Sequence, residues 1–202
     1  SGEILTAGEA KKLAERFPGT AFYHVYGLTE HSPRALALPP EEFAGRPGSV
    51  GRPMPGVEAE ICEGELVLRS PCVMKGYFQN EAATREKIRE GRLFTGDAAH
   101  VDKEGYFYID GRRDSMMIRA GLNIYPEEIE GAARECPGVV DGMAYAERGE
   151  TRIRICLDYV GETDPAEVRK FLLEKLNPHA LPDRIRKVSA LPRTPSGKKQ
   201  RT

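Results

Sequence analysis

Apolar positions along the chain fall into short strand-length runs and a few longer segments of good helix formers, with turn residues between them. Thr6-Ala7-Gly8-Glu9 is a capping-box pattern followed by helix formers, which predicts a helix over 6–17 that Pro18-Gly19 stops. Residues 20–26 predict a buried strand whose end carries Gly27-Leu28-Thr29-Glu30 into a loop. Glycines and prolines make 46–56 a turn-rich linker. Segments 57–62 and 65–69 predict a hairpin around Glu63-Gly64. Asn80 caps a helix that runs through 88, and 97–101 pairs with 106–109 across Asp102-Lys103-Glu104-Gly105. The first half therefore ends rich in β structure.

After Gly111 the pattern becomes mixed. A strand over 115–119 precedes a helix over 126–135, with Pro126 at a first helical position and Glu127 and Glu128 where the helix dipole favours acid. Strands over 139–146 and 152–159 follow, then a helix from the capping box Asp164-Pro165-Ala166-Glu167 to about residue 176, and a strand over 184–189. The change places a domain boundary at 110–114, so that 1–110 and 111–202 are separate segments, the second within the usual size of a domain.

With 202 residues the chain can form one large or two small domains, and its aliphatic content supports a core. No apolar run approaches the roughly 18 residues of a membrane span, and the N-terminus lacks the basic-then-apolar layout of a signal peptide. A net charge of -1 argues against a chain built mainly to coat nucleic acid. Cys62, Cys72, Cys136 and Cys156 form no C-x-x-C pair, so a zinc site has no support and free thiols in a reducing cytoplasm fit best. His24, His31, His100 and His179 lack the spacing of a metal-binding helix and read as surface or core histidines.

Candidate chemistry gathers near the C-terminus. In Pro192-Arg193-Thr194-Pro195-Ser196-Gly197-Lys198-Lys199 the prolines fix φ and Gly197 admits conformations other residues avoid. Such a loop can present the Lys198 ammonium at a defined spot, suited to a compact anion such as phosphate. The same residues also make a solvated basic tail, because Arg184, Arg186, Lys187, Arg193, Lys198, Lys199 and Arg201 face no acidic residue after Asp183. Other polar clusters are individually weak. Tyr26 to Glu30 can be a strand end with a surface acid, Phe94-Thr95-Gly96-Asp97 a turn, Gly111-Arg112-Arg113-Asp114 a charged linker, and Gly121-Leu122-Asn123-Ile124-Tyr125-Pro126 a loop leading to a helix.

Their order is the stronger signal. Tyr26-Gly27-Leu28-Thr29-Glu30, Phe94-Thr95-Gly96-Asp97, Gly111-Arg112-Arg113-Asp114, Gly121-x-x-Ile124-x-Pro126-x-Glu128-Ile129-Glu130 and Pro195-Ser196-Gly197-Lys198 together resemble the acyl-adenylate-forming enzymes. That family comprises acyl- and aryl-coenzyme A synthetases, the adenylation domains of nonribosomal peptide synthetases, and firefly luciferase. The resemblance runs from Ser1-Gly2-Glu3 to Arg201. It implies an α+β fold, in which 1–110 is the β-rich end of a large N-terminal AMP-binding domain and 111–202 is a small mobile α+β domain.

The resemblance also implies roles. Tyr26 would lie against the adenine ring, with Gly27 beside it in the nucleotide site, and Thr29 would approach the α-phosphate. Glu30 would bind the Mg2+ that accompanies ATP, a hard cation suited to carboxylate oxygen. Asp97 would take both ribose hydroxyls through its two acceptor oxygens, assisted by Arg112. Asp114 matches the hinge. Lys198 would stabilise charge on the α-phosphate as a small carboxylic acid attacks and pyrophosphate leaves. Rotation at the hinge would then withdraw the lysine and bring in the loop 119–124, where Gly121 leaves room for the pantetheine arm of coenzyme A, or of a carrier protein.

Two positions depart from the family's common pattern without removing a group with a role. Arg92 replaces a frequent tryptophan before Thr-Gly-Asp, and Arg193 replaces a frequent lysine. The stretch 145–152 is shorter than in many members. No segment resembles the Ser/Thr/Gly-rich loop that wraps the β- and γ-phosphates. The expectation is a portion of a cytoplasmic ATP-dependent acyl- or aryl-CoA synthetase, incomplete without the N-terminal part of the same enzyme. The alternatives are an adenylation domain that loads a carrier protein, and a noncatalytic remnant or interaction module. The acid substrate and the oligomeric state are not legible.

Overall fold

The computed structural model describes residues 4–148, 153–195, 197 and 199–201, with Arg148 described by its backbone alone. It divides into two compact units, Ile4–Arg113 and a second from Asp114 onward. Among the described residues no helix is long and apolar enough to cross a membrane.

The N-terminal unit opens with α1 (Ala7–Arg16), which begins at the capping box: Thr6 Oγ1 accepts from the Glu9 N–H (3.3 Å), and Glu9 Oε2 accepts from the Thr6 N–H (2.9 Å). Next come β1 (His24–Leu28), β2 (Ser32–Leu38), α2 (Pro40–Phe43), β3 (Ser49–Pro53), β4 (Glu58–Cys62) and β5 (Glu65–Arg69). The unit closes with α3 (Glu81–Lys87), β6 (Ile88–Arg89), β7 (Arg92–Val101) and β8 (Phe107–Arg112). One sheet orders the strands β1-β2-β3-β8-β7-β5-β4, with β6 beside β7, and every pairing is antiparallel. Leu36, Leu66, Leu68, Leu93 and Phe107 fill its core. Each such side chain contributes about 1.5–3 kcal/mol relative to an exposed one. Ala10 of α1 packs with Leu38, Phe43 and Tyr106 in a smaller cluster.

Local signals placed several of these elements. Asn80 Oδ1 accepts from the Ala83 N–H at 3.1 Å to start α3. Glu63 and Gly64 both have positive φ, the backbone of the two-residue hairpin turn between β4 and β5. Three expectations need correction. The strand expected over 20–26 is β1, which starts four residues later at His24 and alternates half-buried with exposed positions, because Thr20 N–H bonds back to the Phe17 carbonyl (3.2 Å) and prolongs the turn. Gly27 and Leu28 belong to that strand, not to the loop. The linker expected over 46–56 contains β3, paired to β2 and β8. Ser49 Oγ donates to the Phe107 carbonyl (3.0 Å) and accepts from the Gly51 N–H (3.0 Å), bridging the irregularity that the glycine introduces. Residues 32–38 and 40–43, unassigned from the sequence, form β2 and α2.

In the C-terminal unit a 3-10 turn at Arg113–Ser115 is followed by β9 (Met117–Arg119) and β10 (Leu122–Ile124), then α4 (Pro126–Glu135) and β11 (Val139–Arg148). It ends with β12 (Ile153–Gly161), α5 (Pro165–Lys175) and β13 (Arg184–Lys187). The strand expected over 115–119 thus starts two residues later, with Ser115 in the turn, and the loop expected over 119–124 is a tight β9–β10 hairpin. The β12 strand extends past its expected end to Gly161. Sheet order is β11-β12-β13, with the last pair parallel, a pairing that needs a crossover, here α5. Ile155, Leu157 and Tyr159 alternate along β12 toward Ile129 and Ala133 of α4 and Val168 and Leu172 of α5.

Candidate functional site

The N-terminal unit builds a carboxylate-centred cluster on β7. Asp97 stands opposite Arg112 of β8 in the antiparallel register, which sets their side chains side by side. Arg112 Nη1 donates to Asp97 Oδ1 (3.1 Å), and the Tyr26 hydroxyl donates to Asp97 Oδ2 (2.5 Å). Three strands separate β1 from β7, so a flat sheet would hold them roughly 19 Å apart. Curling of the sheet brings the phenol to the carboxylate. Burial pushes the Asp97 carboxyl above its ordinary value, opposed by the Tyr26 hydrogen bond and the Arg112 charge. Burial and the Asp97 charge push the Tyr26 phenol far up, which keeps it a donor.

Neighbouring groups fix the backbone around Asp97. Thr95 Oγ1 donates to the Leu66 carbonyl (2.7 Å) and accepts from the Asp97 N–H (3.1 Å). Glu65, buried at the start of β5, accepts from the Gly96 N–H (2.7 Å) and from Arg113 Nη1 (2.5 Å). The Thr95 carbonyl accepts from Arg112 Nη1 (3.3 Å) and Lys87 Nζ (3.5 Å).

Beyond β1 the chain turns through Thr29, Glu30 and His31. Gly27 permits this turn: a Cβ there would lie 2.3 Å from the Pro33 carbonyl carbon, so only glycine lets β2 return so closely. Thr29 stands exposed. The Tyr77 hydroxyl donates to Glu30 Oε1 (2.5 Å), and the Glu30 carbonyl accepts from the Met74 N–H (2.7 Å). Burial first, then the bond to Glu30, pushes the Tyr77 phenol up to about 12. Tyr77 is itself held by Thr84 Oγ1, which accepts its N–H at 2.9 Å. His31 is buried beside this turn against Ser70 Oγ (2.8 Å), and burial lowers its pKa.

The C-terminal unit holds the other candidates. Asp114 lies in the 3-10 turn at the division between units. Ala120 and Gly121 both have positive φ and form the β9–β10 turn; nothing lies within 4 Å of a Cβ built on Gly121, so the space beside it is open. Lys198 lies outside the described residues. The segment around it is tight: Arg193 and Lys199 form an isolated antiparallel bridge, Gly197 N–H bonds to the Thr194 carbonyl (2.8 Å), and Gln200 N–H bonds to the Pro192 carbonyl (3.0 Å).

The solvated-tail alternative does not hold for the described cations. Arg193 pairs with Asp141, Lys199 with Glu130 and Asp141, Arg201 with Glu127 and Glu130, Arg184 with Glu147, and Arg186 with Asp158. Tyr26, Asp97 and Arg112 meet in one cluster, and Glu30 meets Tyr77. The sequence reading missed Tyr77, Glu65 and the partners of the basic residues, and gave Thr95 only as a motif member.

A β-rich unit with a carboxylate, tyrosine and arginine cluster, followed by a small α+β unit ending in a basic loop, has the layout of an AMP-binding enzyme. The family model described as AMP-binding enzyme matches residues 1–78, and the one described as AMP-binding enzyme C-terminal domain matches 128–198. The chain belongs to the acyl-adenylate-forming, AMP-binding enzyme family. It is 34% identical to a long-chain-fatty-acid–CoA ligase of Bacillus subtilis over 98% of its own length and 38% of the ligase. It is 33% identical to a 2-succinylbenzoate–CoA ligase of Geobacillus kaustophilus, over 89% of this chain and 40% of that protein. O-succinylbenzoate coenzyme A synthetase from Bacillus subtilis, solved in complex with AMP, superposes with a TM-score of 0.91 at 28% identity, covering 100% of this chain and 44% of that one. An amide bond synthetase from Marinactinospora thermotolerans gives 0.86 at 27% identity, over 98% and 44%. The chain thus spans about two fifths of the length of the curated relatives it matches.

Proposed function

We propose that this chain is part of a cytoplasmic ATP-dependent, AMP-forming acyl- or aryl-CoA synthetase, completed by an N-terminal part of the same enzyme. The observation that carries the reading is the Tyr26–Asp97–Arg112 cluster, assembled by three separate motifs that share one order with the family. Relatives named as CoA ligases favour coenzyme A as the acceptor over a carrier protein.

The residues present fit a bound nucleotide. Each Asp97 oxygen receives one described donor, which leaves acceptor capacity for vicinal ribose hydroxyls. Arg112 holds the carboxylate in place and extends its contacts to the ribose. Tyr26 brings its ring to the same spot, where a flat adenine can rest on it. Among the described residues no three His, Cys, Asp or Glu side chains gather to hold a metal ion. Mg2+ binds through one or two carboxylates and substrate phosphates. Glu30, steadied by Tyr77, is the carboxylate that would hold it, and the bound ion would neutralise developing phosphate charge.

In the first half-reaction the substrate carboxylate oxygen attacks the α-phosphorus, the bond to the bridging oxygen breaks, and pyrophosphate leaves. Thr29 and Lys198 donate to the α-phosphate oxygens as negative charge builds there. In the second, the thiol sulfur of coenzyme A attacks the acyl carbon and AMP departs. The unit beyond Asp114 turns at that residue, and the β9–β10 hairpin replaces the lysine loop, with the open space at Gly121 admitting the pantetheine arm.

The test uses the intact enzyme that contains this chain. Lys198→Ala is expected to abolish substrate-dependent pyrophosphate exchange while sparing thioester formation from supplied acyl-adenylate, and Gly121→Leu to do the reverse. Equal loss of both half-reactions in Lys198→Ala overturns the assignment.

A further inference from the structure

The loop between β1 and β2 carries a buried histidine that the reaction above does not use. Leu28 and Ser32 are partners across the two strands, so Thr29, Glu30 and His31 form the loop, which the His31 N–H closes on the Leu28 carbonyl (3.1 Å). Its backbone is unusual: Ser32 has a φ of 103°, a region that residues bearing a Cβ rarely adopt and that persists only where the surroundings enforce it. His31 is 1% exposed, although it lies between half-buried Glu30 and exposed Ser32. The protein thus encloses one side chain of a loop whose first residue, Thr29, stands in solvent.

What encloses it is the segment 70–77, which runs between β5 and α3. His31 Nε2 shares a hydrogen bond with Ser70 Oγ (2.8 Å), the Met74 N–H donates to the Glu30 carbonyl (2.7 Å), and the Tyr77 hydroxyl donates to Glu30 Oε1 (2.5 Å). The segment is fastened in turn. Ser70 Oγ accepts from the Cys72 N–H (3.0 Å), and Thr84 Oγ1 accepts from the Tyr77 N–H (2.9 Å) while donating to the Asn80 carbonyl (2.9 Å). His31 therefore ties down one end of a run of bonds whose other end is the start of α3, and Glu30 lies in the middle of it.

Mg2+ demands near-ideal octahedral geometry, so a carboxylate serves it only when held in one orientation. Tyr77 and Met74 act on Glu30 directly, whereas His31 acts on the loop that carries it. We propose that His31, through Ser70, is a positioning residue that holds the loop 29–31 against the segment 70–77 and so aims the Glu30 carboxylate at Mg2+. The proposal rests on the functional reading above. A role confined to folding would weaken every ligand of the N-terminal unit, because the Asp97 cluster belongs to that unit and Tyr26 stands on β1 itself. A positioning role weakens only what depends on Mg2+.

The test is an equilibrium titration of the intact enzyme without acid substrate: ATP with and without Mg2+, and AMP without it, by calorimetry. His31→Ala is expected to reduce the gain in ATP affinity that Mg2+ confers roughly tenfold, the scale for losing a group that orients a metal-binding side chain, while AMP affinity stays within about twofold. His31→Gln, whose amide reaches about as far as Nε2, is expected to restore most of the gain. An unchanged Mg2+ gain, or an equal loss for AMP, overturns the proposal. Ser70→Ala is read in the same titrations in case His31→Ala does not accumulate. It is expected to reduce the Mg2+ gain about threefold with AMP binding intact, and no loss or an equal loss for AMP there also overturns the proposal. Glu30→Gln is run alongside. If it leaves the Mg2+ gain intact, the role read for Glu30 fails; if it alone removes the gain, with His31→Ala and Ser70→Ala unaffected, only the positioning role fails.

Discussion

Asp97, half-buried, and Glu130, buried, are both carboxylates facing arginine, yet their surroundings differ in kind. Asp97 sits on a strand with its side chain 13% exposed, and its described bonds put one donor on each oxygen. Glu130 sits on a helix at 3% and is taken up by a backbone N–H, a lysine and an arginine. A carboxylate accepts at about four lone-pair sites, so the first keeps capacity for a ligand while the second spends most of its own inside the protein. Burial raises the Asp97 pKa, opposed by the Tyr26 hydrogen bond and the Arg112 charge. The comparison teaches that burial of an acid does not by itself mark a site; the balance of donors around it does.

The sharpest way to break the comparison is Glu130→Ala in the intact enzyme. It removes one carboxylate partner from each of Lys199 and Arg201, leaving Asp141 and Glu127 to face them, and is expected to cost about 3–5 kcal/mol in urea unfolding of the C-terminal unit. A cost below about 1 kcal/mol would group Glu130 with the ligand-facing acids. Asp97→Asn is expected to weaken AMP binding by about 1.5–3 kcal/mol, read by titration calorimetry, because the charged acceptor proposed for the ribose is lost. Its effect on stability should have the opposite sign at neutral pH. Folding disfavours ionisation of Asp97, so the wild-type group favours the fold most below its ordinary value of 3.8 and loses that contribution as pH rises through the raised folded value. The melting temperature of wild type relative to Asp97→Asn should therefore fall as pH rises from acid to neutral. A rising difference would mean that Arg112 and Tyr26 outweigh burial. The smallest effect expected is that of Tyr77→Phe, which removes one hydrogen bond to Glu30. It should raise the Mg2+ concentration for half-maximal adenylate formation about two- to thirteenfold, equivalent to about 0.5–1.5 kcal/mol, with thioester formation unchanged. An unaltered Mg2+ dependence would separate Tyr77 from the role proposed for Glu30.

Elements with short-range signals were legible from residues alone. The Thr6–Glu9 box, the Asn80 cap, the Glu63-Gly64 turn and Pro126 at its helix start each act within a few residues. The strand β2, Ser32–Leu38, was not, because its proline and arginine argue locally against a strand and its support is pairing with β1 and β3. The glycines and prolines around β3 hid a strand for the same reason. In the candidate site, Asp97 and Arg112 were legible as motif members, whereas the Tyr77–Glu30 bond spans 47 residues of sequence with no pattern to announce it.

The sequence by itself determined the α+β class, the family and the order of the motifs, because caps, turns and apolar rhythm are local and motif order is one-dimensional. Only the tertiary structure decided which charges meet. The basic residues after Asp183 have no acidic neighbour along the chain, yet Glu127, Glu130 and Asp141 reach them from α4 and β11. Likewise a curled sheet, not any spacing, brings Tyr26 to Asp97 across three intervening strands. Ion pairs and hydrogen bonds depend on distances of a few ångströms in space, and sequence separation does not set those distances.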